Sequence, residues 1–313
     1  MASALVLGER GCGLTTFVGL LYTAQVRLGT ENADEFRFHA ERESIQQMEA
    51  VYGELGSGRF PKADADWEQH PLSFVFGFRR GHIAWFAGGG GSGGQGFSTV
   101  RFKVGGMPAD VVSELRDNDA VLDRSTLALL RSPIQIPIVD GAWLAPDRSS
   151  IAGLPLARYD QHLAVTFDLL RKFLAADRDR RARQMFPLFV VTKFDQVRPE
   201  TLKALTAPEG PPAGWTSEAR QEVGKRILEG YLPATAEFLA RPVSDGVRLA
   251  APGWYFSGLR TEEHGDEIRI LRRRISPVSG WEPEYPFEEY RGMLARIGEL
   301  AGRLPVRPVD EDP

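Results

Sequence analysis

Hydrophobic and polar positions along the chain switch repeatedly between two periods. Ala4-Leu5-Val6-Leu7 is a short continuous apolar run, the mark of a buried parallel strand. Thr15, Thr16, Phe17, Leu20, Leu21 and Ala24 then place their apolar groups on one helical face. Phe36-Arg37-Phe38-His39 alternates as a short strand does, and Ile45, Met48, Tyr52 and Leu55 return to helical spacing. Gly56 to Pro71 is polar and rich in breakers, so it reads as a loop. Leu72, Phe74, Phe76 and Phe78 predict a strand, with Ser98–Val104 as its partner across the glycine- and serine-rich tip Gly88–Gly96. Asp110–Leu130 reads as helical. Ile134–Val139 is a β-branched core strand despite Pro137. Leu156, Tyr159, Leu163, Phe167, Leu170 and Leu174 step by three and four, the clearest amphipathic helix in the chain. Pro187–Val191 and Gly253–Phe256 are strands, Ser217–Leu232 is a helix, and Phe287, Tyr290, Leu294, Ile297 and Leu304 predict a closing helix.

Strands alternating with helices imply an α/β fold, with a parallel sheet covered on both faces. In such sheets ligands sit at the carboxyl ends of the strands.

Bulk chemistry narrows the field only a little. The 313 residues carry a net charge of −4 and a pI near 5.9, which argues against nucleic acid as a main partner. No apolar run reaches the length of a membrane span, and Glu9 and Arg10 interrupt the first apolar stretch where a signal peptide would continue. Cys12 is the single cysteine, so no intramolecular disulfide forms and a cytoplasmic setting is expected. The five histidines show no metal-ligand spacing. Arg178–Arg183 suits the end of a long helix. Arg269–Arg274 is either a solvated face or a grip for an acidic partner or nucleic acid, and Trp143, Trp281 and Tyr285 mark either an interface or packing.

The chemistry concentrates directly after predicted strands. Residues 8–15 read Gly-Glu-Arg-Gly-Cys-Gly-Leu-Thr, a phosphate-binding loop whose lysine position holds Leu14. Gly8, Gly13 and Thr15 fall on the fixed positions of that pattern. Backbone N–H groups here, with Gly11, Thr16 and Arg10 in support, would face an anion at a helix N-terminus. Nucleotide should shield Cys12 within this loop from thiol reagents. After the strand Pro187–Val191 comes Thr192-Lys193-Phe194-Asp195. The Asp195 carboxylate can accept both N–H groups of a guanine edge while the Lys193 stem lies along the base plane. Adenine offers no such donor pair and would leave a buried charge unpaired. Ser257, after the strand Gly253–Phe256, is expected to present its backbone N–H to the guanine O6.

In this order, the loop at 8–15, the Thr192–Asp195 motif and Ser257 resemble the translation-factor-class (TRAFAC) P-loop GTPases. With Gly58-Arg59-Phe60-Pro61 ahead of the second and third strands, the chain is most similar to the bacterial double-GTPase group. The resemblance implies a Ras-like three-layer P-loop NTPase sandwich, its sheet mostly parallel with one antiparallel hairpin strand. It implies a single domain over residues 1–304, with insertions near 56–71, 87–97 and 260–280, and a tail at 305–313. It also implies a bacterial multi-component system in which the chain works with a protein partner.

The same pattern breaks wherever the γ-phosphate and magnesium should be held. Leu14 replaces the lysine. Lys103, or Val104, stands where an aspartate should reach magnesium, followed by Gly106. Met107 replaces the residue that orients the attacking water. No catalytic residue and no metal ligand are assigned. The expected function is a degenerate GTPase-like module that holds GDP or GTP with little or no magnesium, or works nucleotide-free as an interaction module. An active switch completed by a partner in trans or by Arg10, and a phosphotransferase on the same fold, are the competing readings.

Overall fold

The computed structural model describes residues 2–31, 36–40, 42–61, 72–79, 97–104, 130–145, 154–176, 183–241, 246–265, 267–276 and 280–304. The expected glycine-rich tip Gly88–Gly96, the helix Asp110–Leu130 (except Leu130), the tail 305–313, and Gly106 and Met107 lie outside them. So do residues 62–71 and most of the basic run Arg178–Arg183.

Element order follows the periodicity closely. Strand β1 (Ala2–Leu7) leads into helix α1 (Leu14–Glu31), then β2 (Phe36–Ala40), α2 (Arg42–Gly56), β3 (Leu72–Arg79), β4 (Phe97–Val104) and β5 (Ile134–Asp140). Helix α3 (Leu154–Ala175), strand β6 (Gln184–Thr192), the short α4 (Pro199–Ala204), α5 (Ser217–Tyr231) and α6 (Pro233–Ala240) follow. Strands β7 (Arg248–Leu249) and β8 (Gly253–Phe256), hairpins β9–β10 (Thr261–His264, Glu267–Ile270) and β11–β12 (Arg272–Ser276, Gly280–Pro283), and helix α7 (Phe287–Arg303) complete it.

The central sheet runs β2-β3-β4-β1-β5-β6, with β7 and β8 pairing successive stretches of β6. β3 is antiparallel to both its neighbours, while every other described pairing in this sheet is parallel. This matches the expected mostly parallel sheet with one reversed hairpin strand. The region near 260–280, expected as an elaboration, is the two small hairpins.

Alternation along the strands divides the core in two. Ala4, Val6, Ile134, Ile136, Ile138, Leu188 and Val190 face α1 and α7. Leu5, Leu7, Val139, Phe189 and Val191 face α3 and α5. Every second side chain of a strand points to the same face, so strands this apolar must be covered on both sides. The α3 stripe, from Leu156 through Phe167 to Leu174, is buried as its spacing predicts.

Backbone approach fixes two contacts that periodicity does not reveal. A Cβ on Gly19 of α1 would meet Val51 Cγ1 at 2.5 Å, so α1 and α2 pack at glycine distance. A Cβ on Gly224 of α5 would come within 2.1 Å of the Trp254 ring, which itself stacks on Phe189 at 4.5 Å.

Candidate functional site

The glycine loop, the end of β5, the Thr192–Asp195 segment and the turn after β8 converge at the carboxyl ends of β1, β5, β6 and β8. Leu7 pairs with Pro137, Asp140 with Thr192, and Val191 with Phe256, which sets these ends side by side.

In the glycine loop, Gly11 and Gly13 have φ of 86° and 83°, a conformation that L side chains rarely adopt. A Cβ on Gly8 would sit 2.7 Å from Cys12 Sγ. The Cys12 N–H donates to Glu9 O at 3.1 Å, and the Phe17 N–H opens α1 by donating to Gly13 O at 2.8 Å. The Thr15 and Thr16 amides therefore fall in the first turn of α1, where no intrahelical acceptor exists. Arg10 is exposed at the loop tip, whereas Leu14 packs partly against the core in place of a lysine.

The Thr192–Asp195 segment is tied directly to this loop. Thr192 Oγ1 donates to Cys12 O at 2.5 Å. Lys193 Nζ donates to Gly11 O at 2.7 Å and to Asp140 Oδ2 at 2.6 Å. Lys193 adopts a left-handed conformation, φ 47° and ψ 37°, unusual for a residue with a side chain. These bonds seat its ammonium across the loop. Its ammonium charge is taken up by Asp140.

Asp140 is 1% exposed and stands at this convergence, a position that the sequence motifs did not single out. Its second oxygen accepts the Ala142 N–H at 2.9 Å. Gly141 follows, and a Cβ there would meet Thr192 O at 2.6 Å and Lys193 O at 2.8 Å. The available signal was position. An Asp-Gly pair directly after a β-branched strand lies at the carboxyl end of a parallel strand, where ligand sites form.

Asp195 packs against the turn after β8, its Oδ1 accepting the Leu259 N–H at 3.2 Å. Burial pushes its carboxyl above the usual aspartate range, against the pull of the Asp195 and Leu259 amides and of Lys193. Ser257 does not play its expected part. Its N–H donates to Val191 O at 2.7 Å, its carbonyl accepts from Phe194 N at 3.0 Å, and its hydroxyl bonds Tyr290 Oη at 2.5 Å. The parallel pairing of β8 with β6 consumes the amide. Among the described residues nothing accepts from the next one, Gly258 N–H.

The thiol expected to report on the loop is closed off by the protein itself. Cys12 is fully buried, and burial pushes its thiol up to about 12 despite the Leu14 amide. Glu9, the acid of the loop, is turned toward α3, with its Oε1 2.8 Å from His162 Nδ1 and its Oε2 3.5 Å from Arg158. Lys103 lies at the end of β4, but its side chain is outside the described set. Among the described residues no group of three or more acids, histidines or cysteines is placed to hold a metal. No described helix is long and apolar enough to cross a membrane.

Compared with known proteins, the chain matches no protein-family model, and no curated protein matches it.

Proposed function

We propose that the chain is a P-loop, GTPase-like module that binds guanine nucleotide without hydrolysing it. The observation that carries this reading is the pair of bonds from Thr192 and Lys193 to the Cys12 and Gly11 carbonyls. They hold a base-reading segment and a glycine loop in fixed register, as one ligand spanning both would require. In this reading Asp195 accepts the guanine N–H pair and the Gly258 amide meets O6. The Thr15 and Thr16 amides, at the positive end of α1, hold the phosphates.

Several features support the absence of turnover. Leu14 gives no charge to the β- and γ-phosphates, and Lys193 cannot replace it while Asp140 neutralises its ammonium. Phosphoryl transfer depends on positioned charge, and this loop offers backbone dipoles alone. Phosphate affinity therefore comes from amides and is insensitive to magnesium.

Equilibrium binding of GDP, GTP and ATP by calorimetry, with magnesium or with EDTA, tests the reading. GDP and GTP should bind alike in both conditions, ATP should not bind, and Asp195→Ala should abolish binding. GTP should show no turnover above background. Failure of GDP and GTP to bind at about 1 mM, a level that even a weak specific site saturates, would leave the fold as a nucleotide-free interaction scaffold. Magnesium-dependent turnover would restore the switch reading.

A further inference from the structure

The β11–β12 hairpin divides its charges between two faces. Arg273 pairs with Glu282 across the hairpin, and Glu282 is fully buried, its Oε1 3.1 Å from Arg27 of α1 and 2.6 Å from Arg273. On the opposite face Arg274 stands across from Trp281, and the Arg272 guanidinium lies over the Trp281 ring, 5.4 Å from its centroid. Trp281 is 51% exposed, more than any other described aromatic side chain of the chain's large hydrophobics. The following acid, Glu284, is held by Arg260 at 2.9 Å. No described acid pairs with Arg272 or Arg274, so this face presents positive charge around an indole.

The hairpin is held firmly. Arg272 Nη1 donates to Gly56 O at 3.2 Å and the Ile270 N–H to Gly58 O at 2.9 Å, which clamps the turn after α2 onto it. That turn also carries Phe60, 43% exposed. A rigid surface with an aromatic anchor flanked by arginines has the composition of a protein-binding hot spot, because the indole buries much area at low entropic cost and the guanidinium fork matches a carboxylate.

We propose that the outward face of β11–β12 docks an acidic segment of a partner protein, its carboxylates on Arg272 and Arg274 and an apolar side chain on Trp281. Charge complementarity selects this occupant. No described acid opposes the two outward cations, while the chain as a whole carries −4, so a long polyanion such as nucleic acid meets repulsion beyond this small patch. The proposal is independent of the nucleotide reading.

The test uses the full chain and fluorescence anisotropy with two labelled probes, a peptide of repeated Asp-Glu-Leu and an oligo-dT strand. Wild type should bind the peptide and not the oligo-dT. Arg274→Glu and Trp281→Ser should each weaken peptide binding by about tenfold, whereas Arg241→Glu, an equal charge change just after α6, should leave it unaltered. Arg274→Gln provides a milder variant should a harsher one lower the melting temperature. Peptide that does not bind, or binds all variants alike, overturns the proposal. So does oligo-dT binding that depends on Arg274 and Trp281, which would assign the face to nucleic acid. Self-association of the wild type that Trp281→Ser abolishes would assign it to a second copy of the chain.

Discussion

Single side chains at this site are constrained by burial more than by their intrinsic chemistry. Cys12 illustrates this, since a thiol with its pKa pushed up to about 12 holds almost no thiolate near neutrality. Ellman's reagent at pH 8 should therefore leave the native protein unmodified and titrate one thiol after unfolding in urea. Rapid modification of the native chain would show that the loop opens. The Lys193–Asp140 pair makes an asymmetric prediction. Lys193→Met strands a carboxylate that is 1% exposed and should cost about 2 kcal/mol, a figure reduced because the lysine end is 32% exposed and screened by water. Asp140→Asn leaves an ammonium that water can reach and should cost clearly less. Urea midpoints of the two variants decide this, and equal losses would contradict the asymmetry. Asp140 was legible in the sequence by position alone, and that signal is ambiguous, because an aspartate before a glycine is also what an ordinary turn requires.

Elements carry their own constraints where backbone meets side chain. Gly224 looks like a weak point within α5, since glycine costs a helix interior about 1 kcal/mol relative to alanine. Its reason is the Trp254 ring, which a Cβ would overlap. Gly224→Ala should destabilise the protein by about 2 kcal/mol through overpacking, reversing the sign expected from helix propensity. Thermal unfolding measures this, and a stabilised variant would mean that Trp254 repacks freely. Helix spans and strand spans were largely legible, because an apolar stripe at α-helical period has one way to be buried. The stripe of α3 and the apolar runs of β5 and β6 fell where their periods placed them. Which glycines are spacers for a neighbour was not legible, because that depends on residues distant in the chain.

Across the whole molecule, helix α7 fastens the site to the rest of the fold. Tyr290 stacks on Phe17 of α1 at 5.7 Å and its hydroxyl meets Ser257. Glu289 accepts the Phe256 N–H at 3.1 Å and pairs with Arg220 of α5 at 2.8 Å. Burial raises the Glu289 carboxyl above the usual glutamate range, outweighing the Phe256 amide and Arg220. The folded state thus holds this proton to higher pH than the unfolded chain does. The resulting stability is present below the ordinary glutamate value, about 4.3, and is lost as pH rises through the raised one. Asp195 adds a component of the same sign. Urea midpoints measured from pH 4 to pH 7 should carry this downward component, and Glu289→Gln should diminish it. An unchanged pH profile in the variant would remove Glu289 as its source.

By itself, the sequence determined the alternation of strands and helices, the mostly parallel sheet and the glycine loop that opens α1. Each of these is encoded by residues close together in the chain, through apolar period and glycine conformation. Tertiary structure alone decided the partners of the site's polar groups. It spent the Ser257 amide on β6, sealed Cys12, and set Asp140 against Lys193 across 53 positions of chain. The physical reason is that a buried donor or charge takes whichever partner the sheet register brings within reach, and that register is fixed by the packing of whole strands.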